Sequence, residues 1–100
     1  MEEERKIVWN SAPFEAICEA LKRISGESIQ GAETVEVGID KKLQQARINP
    51  FRFPPDKFKI GNTGNFRCIV SHSYRITYKV SENEIRVLRI RHVKQKPKSF

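Results

Sequence analysis

The sequence predicts an α+β fold with the element order β-α-α-β-β-β, and three observations carry that prediction. Residues 14–24 and 29–48 repeat apolar side chains every three or four positions, the period of an amphipathic helix. The last third alternates instead. Tyr74-Arg75-Ile76-Thr77-Tyr78-Lys79-Val80 and Ile85-Arg86-Val87-Leu88-Arg89-Ile90-Arg91-His92 are β-like runs separated by a short polar turn. At 100 residues the chain is one domain, residues 1–100, with little room for a deep substrate cavity beside a core.

The elements follow in order. Lys6-Ile7-Val8-Trp9 reads as a first strand. Asn10 or Ser11 can cap the helix behind it, and Pro13 suits a first helical turn. Phe14, Ile17, Cys18, Leu21 and Ile24 fall on one face, and Gly26 is a natural stop. Ser28 can cap a second helix, along which Ile29, Ala32, Val35, Ile39, Leu43 and Ala46 recur. Gly38 inside it costs about 1 kcal/mol of helix propensity, so a bend or a close packing contact is expected there. Asn49-Pro50 ends the helix. The stretch Pro50 to Ile60 holds Pro50, Pro54 and Pro55, which oppose regular structure, and Phe51, Phe53 and Phe58, which should tuck it against the core. Gly61 to Asn65 is a turn.

Strand register decides which arginines share a face. An odd-length loop at His72-Ser73-Tyr74 would put Phe66, Cys68, Val70 and His72 on the core side with Tyr74, Ile76, Tyr78 and Val80. Arg67 and Arg75 would then share the opposite face. In the last strand, Leu88 and Ile90 on the core side place Arg89 and Arg91 beside Arg75 and turn His92 toward the core. A simple Glu82-Asn83 turn would reverse that assignment, because Ile85 and Val87 are apolar too.

Composition narrows the function. The chain is 38% hydrophobic and 31% charged with no low-complexity tract, which argues against wholesale disorder. No apolar run approaches the roughly 20 residues of a membrane span, so no membrane partner is expected. Met1-Glu2-Glu3-Glu4 is acidic and lacks an apolar leader core, which points to a cytoplasmic protein. Cys18 and Cys68 read as reduced, half-buried small hydrophobes. With two Cys and two His there is no metal-ligand spacing, and no metal or cofactor is expected. The net charge is +7, and arginines recur within the β-like runs. A sheet face carrying them suits a phosphate-bearing partner, an acidic protein partner, or both.

With Lys6-Ile7-Val8-Trp9, Phe53-Pro54, Asn65-Phe66-Arg67, the Tyr74 to Val80 block, and Ile85 to His92 followed by Pro97, the chain resembles toxins of the RelE/ParE superfamily. These are the toxic halves of type II toxin–antitoxin (plasmid stabilisation) modules. The likeness spans nearly the whole chain and rests on order, spacing and length together. It implies a two-helix hairpin packed on one face of a twisted, mainly antiparallel sheet, with the basic residues on the other. It also implies a cognate acidic antitoxin. Members include ribosome-dependent mRNA endonucleases and non-catalytic DNA gyrase inhibitors. The basic cluster favours a metal-independent endoribonuclease acting on mRNA at the ribosome. The alternatives are a gyrase inhibitor of the ParE type and a non-toxic, antitoxin-binding relic.

For cleavage by the 2′-hydroxyl, cations must stabilise a phosphorane, and groups must take and give a proton. Under the resemblance Arg67, Arg75 and Arg91 are the cations and His92 the proton donor. Guanidinium groups meet phosphate oxygens bidentately, and His92 can titrate near neutrality. Lys57, Lys59 and Arg89 would hold the substrate. The chain departs from many nuclease members in having no tyrosine after Tyr78, and Asp56 is only a loop candidate for a base.

Overall fold

A computed structural model describes residues 5–100. The chain runs β1 (Lys6–Trp9), α1 (Ser11–Glu27), α2 (Ile29–Ile48), a 3₁₀ turn (Pro50–Arg52), β2 (Phe66–Ser71), β3 (Tyr74–Val80) and β4 (Glu84–His92). This is the predicted α+β order. Met1 to Glu4, the acidic stretch that argued against a leader, lie outside the described residues. The four strands form one mixed sheet in the order β1-β4-β3-β2. β1 lies parallel to β4, and the other pairs are antiparallel.

α1 follows its N-cap Asn10, whose side chain makes no capping bond and instead accepts from Arg86 Nη1 at 3.1 Å. The helix buries Pro13, Ile17 and Ala20, with Leu21 and Ile24 packed at the margin. Its inward stripe is therefore rotated from the predicted one. Phe14 is 52% exposed and leans edge-on against Trp9, and Cys18 is exposed rather than half-buried. Gly26 does not stop the helix, which continues to Glu27. Ser28 caps α2 as expected, its Oγ accepting from Gly31 N–H at 2.9 Å, a bond of about 1 kcal/mol. α2 buries Ala32, Ile39, Leu43 and Ala46 and ends before Asn49-Pro50. At Gly38 a Cβ would overlap the His72 ring, so the expected glycine contact is a close approach of helix and hairpin turn.

The core lies between the helices and one sheet face. Ile69, Ile76, Tyr78, Ile85 and Val87 are its largest fully buried side chains. Tyr78 donates its hydroxyl to Pro50 O at 2.5 Å, satisfying a carbonyl of the 3₁₀ turn that follows α2. Burial pushes that phenol well above the ordinary tyrosine range.

The β2–β3 register differs from the predicted one. Ser71 pairs with Tyr74, leaving a two-residue turn, His72-Ser73, in which both residues have positive φ (47° and 72°). Positive φ at both central positions marks the type I′ hairpin turn, whose twist matches the strands. An even loop reverses the parity of β2. Ile69 therefore faces the core at 0% exposure, while Phe66, Cys68 and Val70 pair with Lys79, Thr77 and Arg75 on the far face. Arg67 pairs with Tyr78 on the helix side and does not share a face with Arg75.

β4 resolves its own ambiguity with a bulge. Its register against β3 shifts between Thr77↔Arg89 and Tyr78↔Val87, leaving Leu88 without a partner. Before the shift Ile85 and Val87 are buried, and after it Ile90 packs on the core. Leu88 is only half-buried, contrary to its predicted core place. Both candidate registers thus occur in one strand, on either side of the bulge.

The segment after α2 wraps the free edge of β2. Asp56 N–H donates to Phe66 O at 2.8 Å, and Cys68 N–H donates to Pro54 O at 2.9 Å. Covering an edge in this way blocks unwanted strand pairing. Of its three phenylalanines only Phe53 packs against the core. Phe51 is 49% exposed, and Phe58 crosses to the far face beneath Arg75.

Candidate functional site

Strand alternation puts Arg75, Thr77 and Lys79 of β3 on the face away from the helices, with Arg91, Arg89 and Arg86 of β4 as their partners. Arg75 and Arg91 are directly opposed, and Arg89 lies opposite Thr77. Like charges directly opposite repel, so these side chains need other company. They find aromatic rings. Arg75 lies 5.0 Å from the centroid of Phe58, and Arg89 lies 4.2 Å from that of Phe100. Each such cation–π contact contributes about 0.5–2 kcal/mol. Arg86 is set apart by Glu84, whose Oε2 accepts from its Nε at 2.8 Å.

Two segments cross this face. The loop carrying Asp56 and Phe58 is one. The other is residues 93–100, a strap that folds back over the sheet. Phe100 N–H donates to Phe58 O at 3.0 Å, and Ile60 N–H donates to Phe100 O at 2.7 Å. Arg89 Nη1 donates to Lys98 O at 3.2 Å. The Phe100 ring also meets Phe66 edge-on at 6.4 Å. Beneath the strap is a narrow cleft of about 30 Å³ lined by Asp56, Phe58, Arg75, Thr77, Arg89 and Arg91, among others.

Among the described residues Asp56 is the one acidic side chain lining the cleft, and it is 2% exposed. Its Oδ1 accepts from Phe58 N–H at 2.8 Å, and its Oδ2 accepts from the Thr77 hydroxyl. Both oxygens are engaged in holding the loop on the sheet. Desolvation lowers the Arg89 pKa, and the neighbouring charge of Arg91 adds to the effect. Arg91 Nε is buried with no hydrogen-bond partner. Cys68 lies under Arg75, whose Nη1 is 3.5 Å from its sulfur. Burial raises that thiol's pKa more than the guanidinium lowers it, so the thiol stays protonated.

The structure brings together only part of the predicted site. Arg75, Arg89 and Arg91 line the cleft. Arg67 is elsewhere. Its Nε donates to Gly64 O at 2.7 Å, its Nη1 donates to Phe53 O at 3.1 Å, and its guanidinium lies 4.9 Å from the Phe51 ring. It fastens the loop after α2 to the turn before β2. Lys57 leans on Phe58, and Lys59 reaches the rings of Phe66 and Phe100 at 4.9 and 5.5 Å. His92 pairs with Tyr74 on the helix side, with the two ring centroids 5.3 Å apart. It stands at the sheet rim, lining both the cleft and a groove of about 490 Å³ beside α1. Its Nδ1 accepts from Lys94 N–H at 3.1 Å, so the neutral ring carries its proton on Nε2.

Sequence reading missed Phe58 and Phe100 as parts of this face. The only available signal was an aromatic residue after an otherwise polar stretch, Lys94-Gln95-Lys96-Pro97-Lys98-Ser99. Among the described residues no group of His, Cys, Asp and Glu could hold a metal ion, and no helix is long and apolar enough to cross a membrane.

Among curated proteins, none matches the chain. A family model described as the ParE toxin of the type II toxin–antitoxin system parDE matches residues 12–97. That span runs from the start of α1 through all three antiparallel strands and into the strap. Membership of such a family implies an antitoxin partner. The chain belongs to the ParE toxins of type II toxin–antitoxin systems.

Proposed function

We propose that this toxin acts by binding, as the DNA gyrase-inhibiting members of its superfamily do, in a cytoplasmic setting. The observation that carries this reading is the engagement of the cleft's one acidic side chain, the base a nuclease would need. Asp56 has both oxygens bonded to the fold. His92 holds a backbone N–H with Nδ1 and lays its ring against Tyr74. General acid–base catalysis needs a group within hydrogen-bond reach of the proton it moves. A binding mechanism needs only shape, charge and stacking surface, which the arginines and phenylalanines of the far face supply.

Ribosome-dependent cleavage of mRNA is the second reading, and the row Arg75, Arg89, Arg91 favours it. Three cations around one cleft suit a phosphorane. Two assays on the purified chain separate the readings: supercoiling by purified DNA gyrase, and integrity of mRNA in a ribosome-containing translation mixture. The binding reading expects supercoiling to stop while mRNA stays whole. Cleaved mRNA with normal supercoiling would overturn it. The double variant Arg75→Ala/Arg91→Ala should fold normally and lose the activity under either reading. In a nuclease each lost guanidinium would cost on the order of 2–4 kcal/mol of transition-state stabilisation.

A further inference from the structure

The end of β4 lacks a neighbour on one side. β1 ends at Trp9, opposite Val87, so among the described residues no strand flanks Leu88 to His92 on the side away from β3. Between α1 and this end of the sheet lies the groove of about 490 Å³. That is within the range of roughly 300–1,000 Å³ in which small molecules bind. Ala16 and Ala20 of α1 are too short to fill it, and Ile17, Tyr74 and Ile90 give it an apolar lining.

Its charged lining is uncommitted. Arg23, Arg91 and Lys94 line the groove against one acidic side chain, Glu19. Among the described residues none of these four side chains makes a hydrogen bond or an ion pair. Glu19 and Arg23 stand four residues apart, the spacing of a helical ion pair, and still do not pair. Arg91 Nε is covered by the fold and has no acceptor. Folded proteins pair nearly all such buried donors, so this one calls for an acceptor that the chain does not supply. The groove therefore offers three free cations, one free carboxylate and an apolar wall.

We propose that this groove binds a nucleoside monophosphate. The phosphate lies with Arg23, Arg91 and Lys94, where guanidinium groups meet its oxygens bidentately. The ribose hydroxyls donate to the Glu19 carboxylate. The base lies against Ile17, Tyr74 and Ile90. A bare phosphate would leave Glu19 repelling it and the apolar wall unused, and a neutral ring would leave the cations without a partner. Arg91, His92 and Gln95 line both this groove and the cleft of the far face. Arg75 and Arg89 line only the cleft, and Ala16, Glu19 and Arg23 only the groove, so the two sites can be separated. The proposal does not depend on which target the toxin inhibits.

The test is calorimetric titration of the full chain with adenosine 5′-monophosphate, inorganic phosphate and adenosine. The monophosphate should bind about tenfold or more tighter than either fragment, the worth of one charge-assisted hydrogen bond. Arg23→Ala should weaken it by a similar factor. Ala16→Phe, at an exposed helix position, should fill the groove and abolish binding in a chain that still melts normally. Arg75→Ala/Arg89→Ala should bind like the wild type. Glu19→Ala should move the two anions in opposite directions, weakening the monophosphate and tightening inorganic phosphate, because it removes a ribose acceptor and a repelling charge at once. In ¹⁵N-resolved NMR the Arg91 Nε–H signal should shift on addition of the monophosphate. Binding no tighter than that of inorganic phosphate would overturn the proposal, as would binding that survives Ala16→Phe but is lost in Arg75→Ala/Arg89→Ala. Tighter binding of both anions by Glu19→Ala would remove the ribose contact and with it the nucleoside. A phosphodiester-linked oligonucleotide without terminal phosphate that binds the groove more tightly than the monophosphate would make it a nucleic-acid site instead.

Discussion

Asp56 offers the sharpest test of whether this face is built for binding or for proton transfer. It is 2% exposed and joins the loop after α2 to the middle of β3 through Thr77. Asp56→Ala removes both acceptors and strands the Thr77 hydroxyl, which is 3% exposed. A buried donor left without a partner costs about 1–3 kcal/mol, and a bond to a charged acceptor contributes a similar amount. With two bonds lost and one donor able to find water, the expected cost is about 3 kcal/mol. For a domain of this size that corresponds to a fall in Tm on the order of 12–24 °C. Asp56→Asn behaves differently. Its Oδ1 can still accept from Phe58 N–H, and the Thr77 hydroxyl can rotate to accept from the new amide. Its loss should stay near 1 kcal/mol. Urea melts monitored by circular dichroism would measure both variants, alongside supercoiling and mRNA assays. A structural Asp56 predicts that activity tracks stability across the pair. An Asn variant that melts like the wild type yet loses mRNA cleavage entirely would refute the argument and make Asp56 a catalytic base.

Three further outcomes follow from the same geometry. The raised Tyr78 pKa means the folded state holds its proton where the unfolded chain releases it, so this stabilisation is complete below about pH 10 and is lost above it by roughly 1.4 kcal/mol per pH unit. Absorbance near 295 nm should show one tyrosine ionising only with unfolding, and Tyr78→Phe should remove that transition. Arg67→Ala should lower stability by about 1–3 kcal/mol, since it frees Phe53 O and Gly64 O together, and Arg67→Lys should not restore it; equal melting of all three chains would return Arg67 to the list of functional candidates. His92→Gln should leave gyrase inhibition largely intact under the binding reading, whereas a nuclease using Nε2 as acid would lose roughly 10²–10⁴-fold in rate.

The helices were legible because their signals are local. Apolar period, the Ser28 cap and Asn49-Pro50 each act within a turn or two of chain. The β2–β3 register was not, because His72-Ser73 adopts positive φ without the Asn-Gly or Gly that usually announces such a turn. One unread turn moved Arg67 from the far face to the helix side and Cys68 the other way. The rotation of α1 was hidden for a related reason. Phe14 and Cys18 are as apolar as Ile17, and only the position of β1 and β4 decides which of them is covered. On the site itself, the arginines of β3 and β4 could be read from alternation. Phe58 and Phe100 could not, because their places depend on how two irregular segments cross the sheet.

The bulge in β4 explains why the cationic row exists at all. The strand carries apolar side chains at Ile85 and Val87 and then at Ile90, a change of parity that no regular strand can bury. Keeping the first parity throughout would turn Ile90 outward and drive Arg89 and Arg91 under the helices, where an unpaired guanidinium costs several kcal/mol. Keeping the second would expose Ile85 and Val87 and put Arg86 inside. One unpaired residue, Leu88, lets both apolar sets face the core. It also gathers Arg86, Arg89 and Arg91 on the same outer face as Arg75 and Lys79. The demand of the core therefore fixes the charge of the far face. The aromatic residues that cross it then decide how that charge is presented: Arg75 against the Phe58 ring and Arg89 against the Phe100 ring, as stacked cations in place of a row exposed to water.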